Sequence, residues 1–121
     1  MKIALSVNGN NLDSATEKRF GRASGFLIVD EDSLEFDYLD NSAGVNASHG
    51  AGIQTARLVA DAGAKAVITG SVGPKAYDAL QAAGIEIYLD QEPGTARQAL
   101  EKLKAGQLST TSGANRQGHW R

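Results

Sequence analysis

Few side chains in this sequence offer the sulfur or imidazole ligands that bind transition metals. The 121 residues include no cysteine and only two histidines, His49 and His119. Without thiolates, the chain lacks the usual ligands of iron–sulfur clusters and structural zinc, and it also lacks a thiol nucleophile. A neutral imidazole is a good transition-metal ligand. We therefore expect His49, which precedes a predicted helix, to be the metal ligand if the protein supplies one. The alternative is that His49 caps or packs its own loop.

Positively charged side chains lie next to glycine-bearing turns. Arg19 and Arg22 flank a Phe-Gly pair, and Lys75 falls in the first turn of a predicted helix. A cation at that end of a helix is unfavourable unless an anion docks there, and an arginine fork can bind an oxyanion through two parallel bonds. The alternative is that the arginines are solvated and pair with the acidic hairpin around residues 30–40. The other candidate binding residues are Gly21, Gly50, Gly52, Gly70, Ser71 and Gly73, where each glycine either admits a ligand or serves only its turn.

Hydrophobic periodicity predicts five strands and three helices that would position these residues. Strands are expected at residues 2–7, 26–29, 34–39, 66–69 and 85–89, and helices at 53–62, 74–83 and 95–106. Gly63 and Gly84 are expected to end the first two helices, and Pro74 suits a first helical position because its missing N–H would be unpaired there. The order β-β-β-α-β-α-β-α predicts one α/β domain over residues 1–106 with a five-stranded mixed sheet.

The candidate residues are expected to meet at one edge of that sheet. A three-stranded meander followed by two right-handed crossovers places residues 8–11, 20–25, 41–52 and 70–74 on the same side. Two helices begin there, and each contributes unpaired N–H groups and a partial positive charge. Together with the arginines, the lysine and the glycines, they predict a pocket for a negative ligand. Charge alone leaves two ligands open, a metal–sulfur cluster or a phosphate-bearing molecule.

Three motifs in this order give the chain a family resemblance. They are Arg19-Phe20-Gly21-Arg22-Ala23, with Phe26 following; His49-Gly50-Ala51-Gly52-Ile53-Gln54-Thr55-Ala56; and residues 66–76, Ala-Val-Ile-Thr-Gly-Ser-Val-Gly-Pro-Lys-Ala, with Ala83-Gly84-Ile85 after them. This pattern, which spans residues 2 to 105, resembles the dinitrogenase iron-molybdenum cofactor family. The resemblance implies a ribonuclease H-like three-layer fold that binds, carries or helps to insert molybdenum–iron–sulfur clusters. Family members commonly have a histidine before the Phe-Gly pair, where this chain has Arg19.

The resemblance leads to the first of two functional hypotheses. In that hypothesis, the protein carries or scaffolds a molybdenum–iron–sulfur cluster, bound without cysteine ligands, and hands it to an acceptor or biosynthesis protein. In the second, an accessory or regulatory module binds a phosphate, a nucleotide or another small anion at the same edge. We do not expect an enzyme, because the strands lack the carboxylates with which nucleases of this topology hold metal ions, and no nucleophile has a recognisable base and orienting partner.

Composition limits the partners and the location. The net charge of −2 argues against nucleic-acid binding, which requires a basic surface. No apolar run approaches the roughly 20 residues that span a bilayer, and the N-terminal apolar stretch is too short for a signal peptide, so we expect a cytoplasmic protein. Residues 107–121, rich in Ser, Thr, Gly, Asn and Gln, predict a disordered tail that includes His119 and Trp120.

Two further groups of residues have a structural interpretation. The acidic side chains between Asp30 and Asp40 lack the alternating pattern and central glycine of a calcium loop, which indicates a solvated face. Phe20, Phe26 and Tyr38 are expected to pack in the core or at a sheet edge. The third strand would be an edge strand and could pair in a dimer.

Overall fold

The computed structural model describes residues 1–46 and 51–111 of the chain. In order, it contains β1 (Lys2–Val7), a 3-10 turn (Phe20–Arg22), β2 (Gly25–Asp30), β3 (Phe36–Asp40), α1 (Ser42–Val45), α2 (Ala51–Asp61), β4 (Ala66–Thr69), α3 (Pro74–Ala82), β5 (Glu86–Leu89), α4 (Ala96–Lys104) and β6 (Ser109–Thr110).

These elements build a single mixed sheet with the strand order β3-β2-β1-β4-β5-β6. The first three strands pair antiparallel as a meander, and β4 and β5 run parallel to β1. The meander and the parallel crossovers are as the sequence predicts.

The prediction of five strands is wrong, because the sheet has six. The additional strand, β6, pairs antiparallel with the free edge of β5, where Leu89 faces Ser109 and Tyr88 faces Thr110. Two polar residues show no hydrophobic alternation, so their pairing leaves no periodic signal in the sequence. The strand falls within the segment 107–121 whose composition predicts a tail. The tail prediction for residues 112–121 lies outside the described residues.

The core is divided by the sheet because helices cover both of its faces. Along β1, Ala4 contributes to the cluster beneath α2 and α3, whereas Ile3 and Leu5 contribute to the cluster beneath α4. This alternation follows from the period of two in a strand. The observed arrangement is therefore an α/β sheet flanked by helices, and the ribonuclease H-like description stays what the family resemblance implies. None of the helices in the described ranges has the length and apolar character needed to cross a membrane.

Candidate functional site

A cleft of about 350 Å³ opens where the starts of α2 and α3 meet the 3-10 turn. Residues from all three sequence motifs line it, and six of them are candidates from the sequence: Gly21, Arg22, Gly52, Ser71, Gly73 and Lys75. Ala51, Ile53, Pro74 and Ala76 complete the lining. The structure thus brings together segments that lie far apart in the chain, as the predicted topology requires.

The loop between β4 and α3 is held in place by the chain segment before the 3-10 turn. The carbonyl of Lys18 accepts hydrogen bonds from the N–H groups of Gly70 (2.9 Å) and Ser71 (2.8 Å). The N–H of Phe20 in turn donates to the Ser71 carbonyl at 3.1 Å. A buried hydroxyl pair lies beneath this contact, because Ser6 Oγ donates to Thr69 Oγ1 at 3.1 Å. This network fixes Ser71 at the cleft wall.

Gly70 does not line the cleft, although the sequence makes it a candidate. It is buried, and a Cβ built on it would lie 2.3 Å from Lys18 Cγ and 2.9 Å from the Lys18 carbonyl oxygen. Its own N–H is occupied by that carbonyl. Of the two interpretations that the sequence leaves open, the structure favours the one in which this glycine allows close packing of two chain segments.

Gly21 and Gly52 bring three backbones together at the floor of the cleft. A Cβ on Gly21 would lie 3.3 Å from the Gly52 nitrogen, and a Cβ on Gly52 would lie 2.9 Å from the Ala76 Cβ. The 3-10 turn therefore packs on the start of α2, and α2 packs on the start of α3. A larger residue at Gly52 would force α2 and α3 apart, and one at Gly21 would press tightly on the start of α2, because interiors of proteins are close-packed.

Among the described residues, the cleft lining contains two cationic side chains, Arg22 and Lys75, and no acidic one. Arg22 is half-buried, and its Nη1 donates to the Val45 carbonyl at 2.8 Å, which fixes the guanidinium against the end of α1. Lys75 is exposed in the first turn of α3, after Gly73 as N-cap and Pro74 as the first helical residue. No side chain caps this end of α3, so the helix start contributes its partial positive charge to the cleft.

Arg19 lies beside the cleft but does not line it. Its backbone bridges to Ser71, and its side chain is 57% exposed. The Arg19 Nε forms an ion pair with Glu17 Oε2 at 3.2 Å. Burial raises the pKa of the Glu17 carboxyl, but hydrogen bonds from the Arg19 N–H, the Arg19 guanidinium and Asn8 outweigh this effect and hold the pKa below its usual value. Arg19 therefore pairs with Glu17 in its own segment, which is a different partner from the acidic hairpin around residues 30–40 that the sequence suggests.

The remaining two candidates, His49 and Gly50, lie outside the described residues, so the metal role of His49 stays a prediction. Within residues 1–46 and 51–111, no cluster of three or more His, Asp or Glu side chains is arranged to hold a metal ion. The acidic residues between Asp30 and Asp40 are included in this statement.

Two features of the site were missed by the sequence interpretation. Ile53, at the start of the predicted helix 53–62, is not among the candidate binding residues, but it is 37% exposed and lines the cleft. Asn41 and Thr55 form a buried polar pair behind the cleft, in which Thr55 Oγ1 donates to Asn41 Oδ1 at 3.2 Å and Asn41 Nδ2 donates to the Ala23 carbonyl at 2.9 Å. This pair ties the end of the 3-10 turn to α2 and so positions the cleft walls.

The fold and the cleft define a small α/β protein with a positively charged, partly apolar pocket at one sheet edge. Residues 1–106 match the family model described as dinitrogenase iron-molybdenum cofactor, and the chain belongs to that family.

Among solved structures, the chain is similar to the apo form of the orange protein from Desulfovibrio gigas. The identity is 45% over 95% of this chain and 96% of that one, with a TM-score of 0.92. It is also similar to a Thermotoga protein described as a candidate NifB protein of the DUF35 family, with 29% identity, 97% and 98% coverage and a TM-score of 0.83. An uncharacterized protein of Methanocaldococcus jannaschii is 37% identical over 91 residues, which is 73% of each chain.

Proposed function

We propose that this protein binds a preformed anionic molybdenum/iron–sulfur-type cluster in the cleft, and that it carries or scaffolds the cluster during cofactor biosynthesis or metal handling. The proposal assigns no catalytic step to the chain. The cluster is cargo, received from one protein and handed to an acceptor or biosynthesis protein. Family membership and the similarity to a protein described in its apo form, the term for a ligand-free state, support a binding role.

The observation that carries the proposal is the charge of the cleft lining. Arg22 and Lys75 line a space that has no carboxylate among its described lining residues, and this space lies at the uncapped start of a helix. Arg22 is already fixed by Val45, so its charge is held in place without a further loss of side-chain entropy. Such an arrangement favours a ligand with net negative charge.

The apolar part of the lining favours a metal–sulfur cluster over phosphate. Ile53 is exposed, and Ala51, Pro74 and Ala76 present further carbon atoms to the same space. A small oxyanion is strongly hydrated and would lose hydrogen bonds against these groups. The sulfide surface of a cluster is soft and polarizable and would lose less on leaving water. This contrast favours the cluster over the phosphate or nucleotide module that charge alone leaves open.

The donor set of the chain determines how the cluster would be held. No cysteine exists in the sequence to make thiolate bonds, so Arg22, Lys75 and the backbone N–H groups would hold it through charge and hydrogen bonds. His49 is the candidate for a direct bond to the metal. Retention without thiolates suits a carrier, because release to an acceptor requires no exchange of metal–thiolate bonds.

A titration with two matched anions tests the ligand class. Molybdate and tetrathiomolybdate have the same metal, shape and charge, and differ in oxygen against sulfur. We expect the thio anion to raise the melting temperature of the protein and the oxo anion, inorganic phosphate and ATP to have little effect. If phosphate or ATP stabilises the protein and the thio anion does not, the anion-module alternative is correct.

A second experiment tests the place of binding. A molybdenum–iron–sulfur cluster added anaerobically should elute with the protein at one cluster per chain in gel filtration. Lys75→Gln should weaken this binding by at least about tenfold, since a charged hydrogen bond contributes roughly 1.5–3 kcal/mol. Lys65→Gln, at an exposed lysine just before β4, is the matched control and should bind normally. Equal binding by both variants would show that the cluster does not occupy this cleft.

A further inference from the structure

Strand β3 forms one edge of the sheet, and in the part of the chain that the structure describes it pairs with β2 alone. The N–H of Asp30 donates to the Glu35 carbonyl, and the N–H of Asn41 donates to the Ser24 carbonyl, both at 2.9 Å. Because the direction of backbone groups alternates along an antiparallel strand, Phe36 and Tyr38 direct their N–H and C=O groups away from β2. Within the described residues, these groups have no hydrogen-bond partner, so the edge can accept another strand.

The two residues with outward backbone groups also carry large side chains that the fold leaves uncovered. Phe36 is 38% exposed and Tyr38 is 40% exposed. They face Val29 and Leu27 across the β2–β3 pair, which places them on the same side of the sheet as α4. A strand added beside β3 would bring its own side chains next to these rings, and aromatic cross-strand pairs stabilise a sheet.

The opposite side of the same strand carries negative charge around an apolar base. A groove of about 540 Å³ lies along this edge, and its lining is Lys2, Ile28, Asp30, Leu34, Glu35, Asp37 and, from the edge of the strand itself, Phe36. Its titratable groups are therefore three carboxylates and one lysine. Such a groove fits a long basic side chain, whose aliphatic stem packs along Ile28 while its charged end meets the carboxylates.

We propose that β3 is a docking edge for an extended segment of a partner protein in which basic and apolar residues alternate. The segment would pair with the outward backbone groups of Phe36 and Tyr38, direct its apolar side chains to their rings, and direct its basic side chains to Glu35 and Asp37. The inference does not depend on what the cleft binds.

The charge of this edge distinguishes such a partner from a second copy of the chain. Residues 30–40 contain six carboxylates and no basic residue. Pairing of β3 with itself would bring two such segments together, and like charges opposite each other across strands are destabilising. A basic segment instead meets charges of opposite sign, foremost Glu35 and Asp37 in the groove.

A short capped peptide that alternates lysine and valine is the probe for this edge. When the peptide is added to isotope-labelled full-length protein, the NMR amide signals of β3 should shift, and the shift changes should level off as the peptide concentration rises. Three control peptides separate strand pairing from simple charge attraction. The first has the same composition with the lysines in one block, the second has glutamate in place of lysine, and the third is N-methylated at the amides that would face β3. All three should bind at least about tenfold more weakly.

Variants of the protein complete the test. Phe36→Pro removes an N–H that points away from β2 and breaks no hydrogen bond to β2. It should therefore lower the affinity for the peptide by about tenfold relative to Phe36→Val, which keeps that N–H. The double variant Glu35→Lys with Asp37→Lys should lower the affinity for the lysine peptide at least as much. It should also bind the glutamate peptide more tightly than the lysine peptide. Equal binding of the block peptide, shifts located away from β3, or a dimer that Phe36→Pro converts to monomer would each overturn the proposal.

Discussion

Replacing Gly52 with alanine tests whether close helix packing sets the shape of the cleft. The new Cβ would lie 2.9 Å from the Ala76 Cβ, and it would also be 3.6 Å from the Ala76 backbone. The first distance is shorter than two methyl groups tolerate, so α2 and α3 must move apart. Overpacking of this kind costs about 1–3 kcal/mol. The opposing gain from replacing a helical glycine is about 0.5–1 kcal/mol.

The net expectation for Gly52→Ala is a loss of about 1 kcal/mol in the free energy of unfolding. For a domain of this size, that loss lowers the melting temperature by roughly 4 °C. Urea unfolding at constant pH measures the free energy directly. Gln54→Ala and Gln54→Gly provide the control, because Gln54 is exposed on the same helix and their difference gives the intrinsic preference for alanine over glycine.

The double variant Gly52→Ala with Ala76→Gly moves the methyl group from α3 to α2 and removes the clash. We expect its stability to exceed the sum of the single changes by about 1–2 kcal/mol, which is the usual coupling between residues in contact. Two results would contradict this reasoning. One is that Gly52→Ala stabilises the protein by as much as the free energy of unfolding differs between Gln54→Ala and Gln54→Gly. The other is that the double variant shows no coupling between the two sites.

Three further changes test other contacts. Thr95→Ala removes the capping box that Thr95 and Gln98 form at the start of α4 and should cost about 1 kcal/mol in urea unfolding, whereas Thr95→Ser should cost little. Thr55→Val leaves the buried Asn41 Oδ1 without its donor and should cost about 1–3 kcal/mol, with a matching shift of the Asn41 amide signals. A hydrogen bond to Asp90 raises the pKa of Lys102 above its ordinary value of 10.5. The stabilisation from this pair is complete below pH 10.5 and is lost as the pH rises through the raised pKa of Lys102. The difference in the free energy of unfolding between the native protein and Lys102→Met should therefore shrink in strongly alkaline buffer.

Much of the framework is predictable because its signals are local. Strand β4 is a continuous apolar run, and it occupies the predicted residues 66–69. Pro74 begins α3 as expected, and Gly63 and Gly84 adopt positive φ angles of 88° and 74° after the helices that they end. In each case, the residue type restricts its own backbone, so no tertiary information is required.

Errors occur where neighbours in space decide the conformation. The third strand was expected to begin at Leu34, but Leu34 has a φ of 64° in the turn before the strand, a conformation that the sequence pattern of alternating apolar residues does not reveal. The helix α1 is four residues long, which is too short for a periodic signal. Strand β6 is defined by its pairing with β5, a contact between segments that the sequence pattern does not show. Ile53 has the residue type of a core position, yet it is 37% exposed and lines the cleft.

The candidate site was predictable in position because topology alone decides which turns share an edge. Which residues line the site was harder to predict, because nothing in the sequence distinguishes Gly52 from Gly70. Gly70 is buried under Lys18, while Gly52 lines the cleft and also sets the distance between two helices. That distance determines how far Lys75 stands from Arg22 across the opening, because Arg22 is fixed to Val45 and Lys75 moves with α3. A change that widens the packing at Gly52 should therefore weaken binding of a negative ligand even though no charge is altered, and the double variant that restores the packing should restore the binding. Loss of binding in both variants would instead assign Gly52 to direct contact with the ligand.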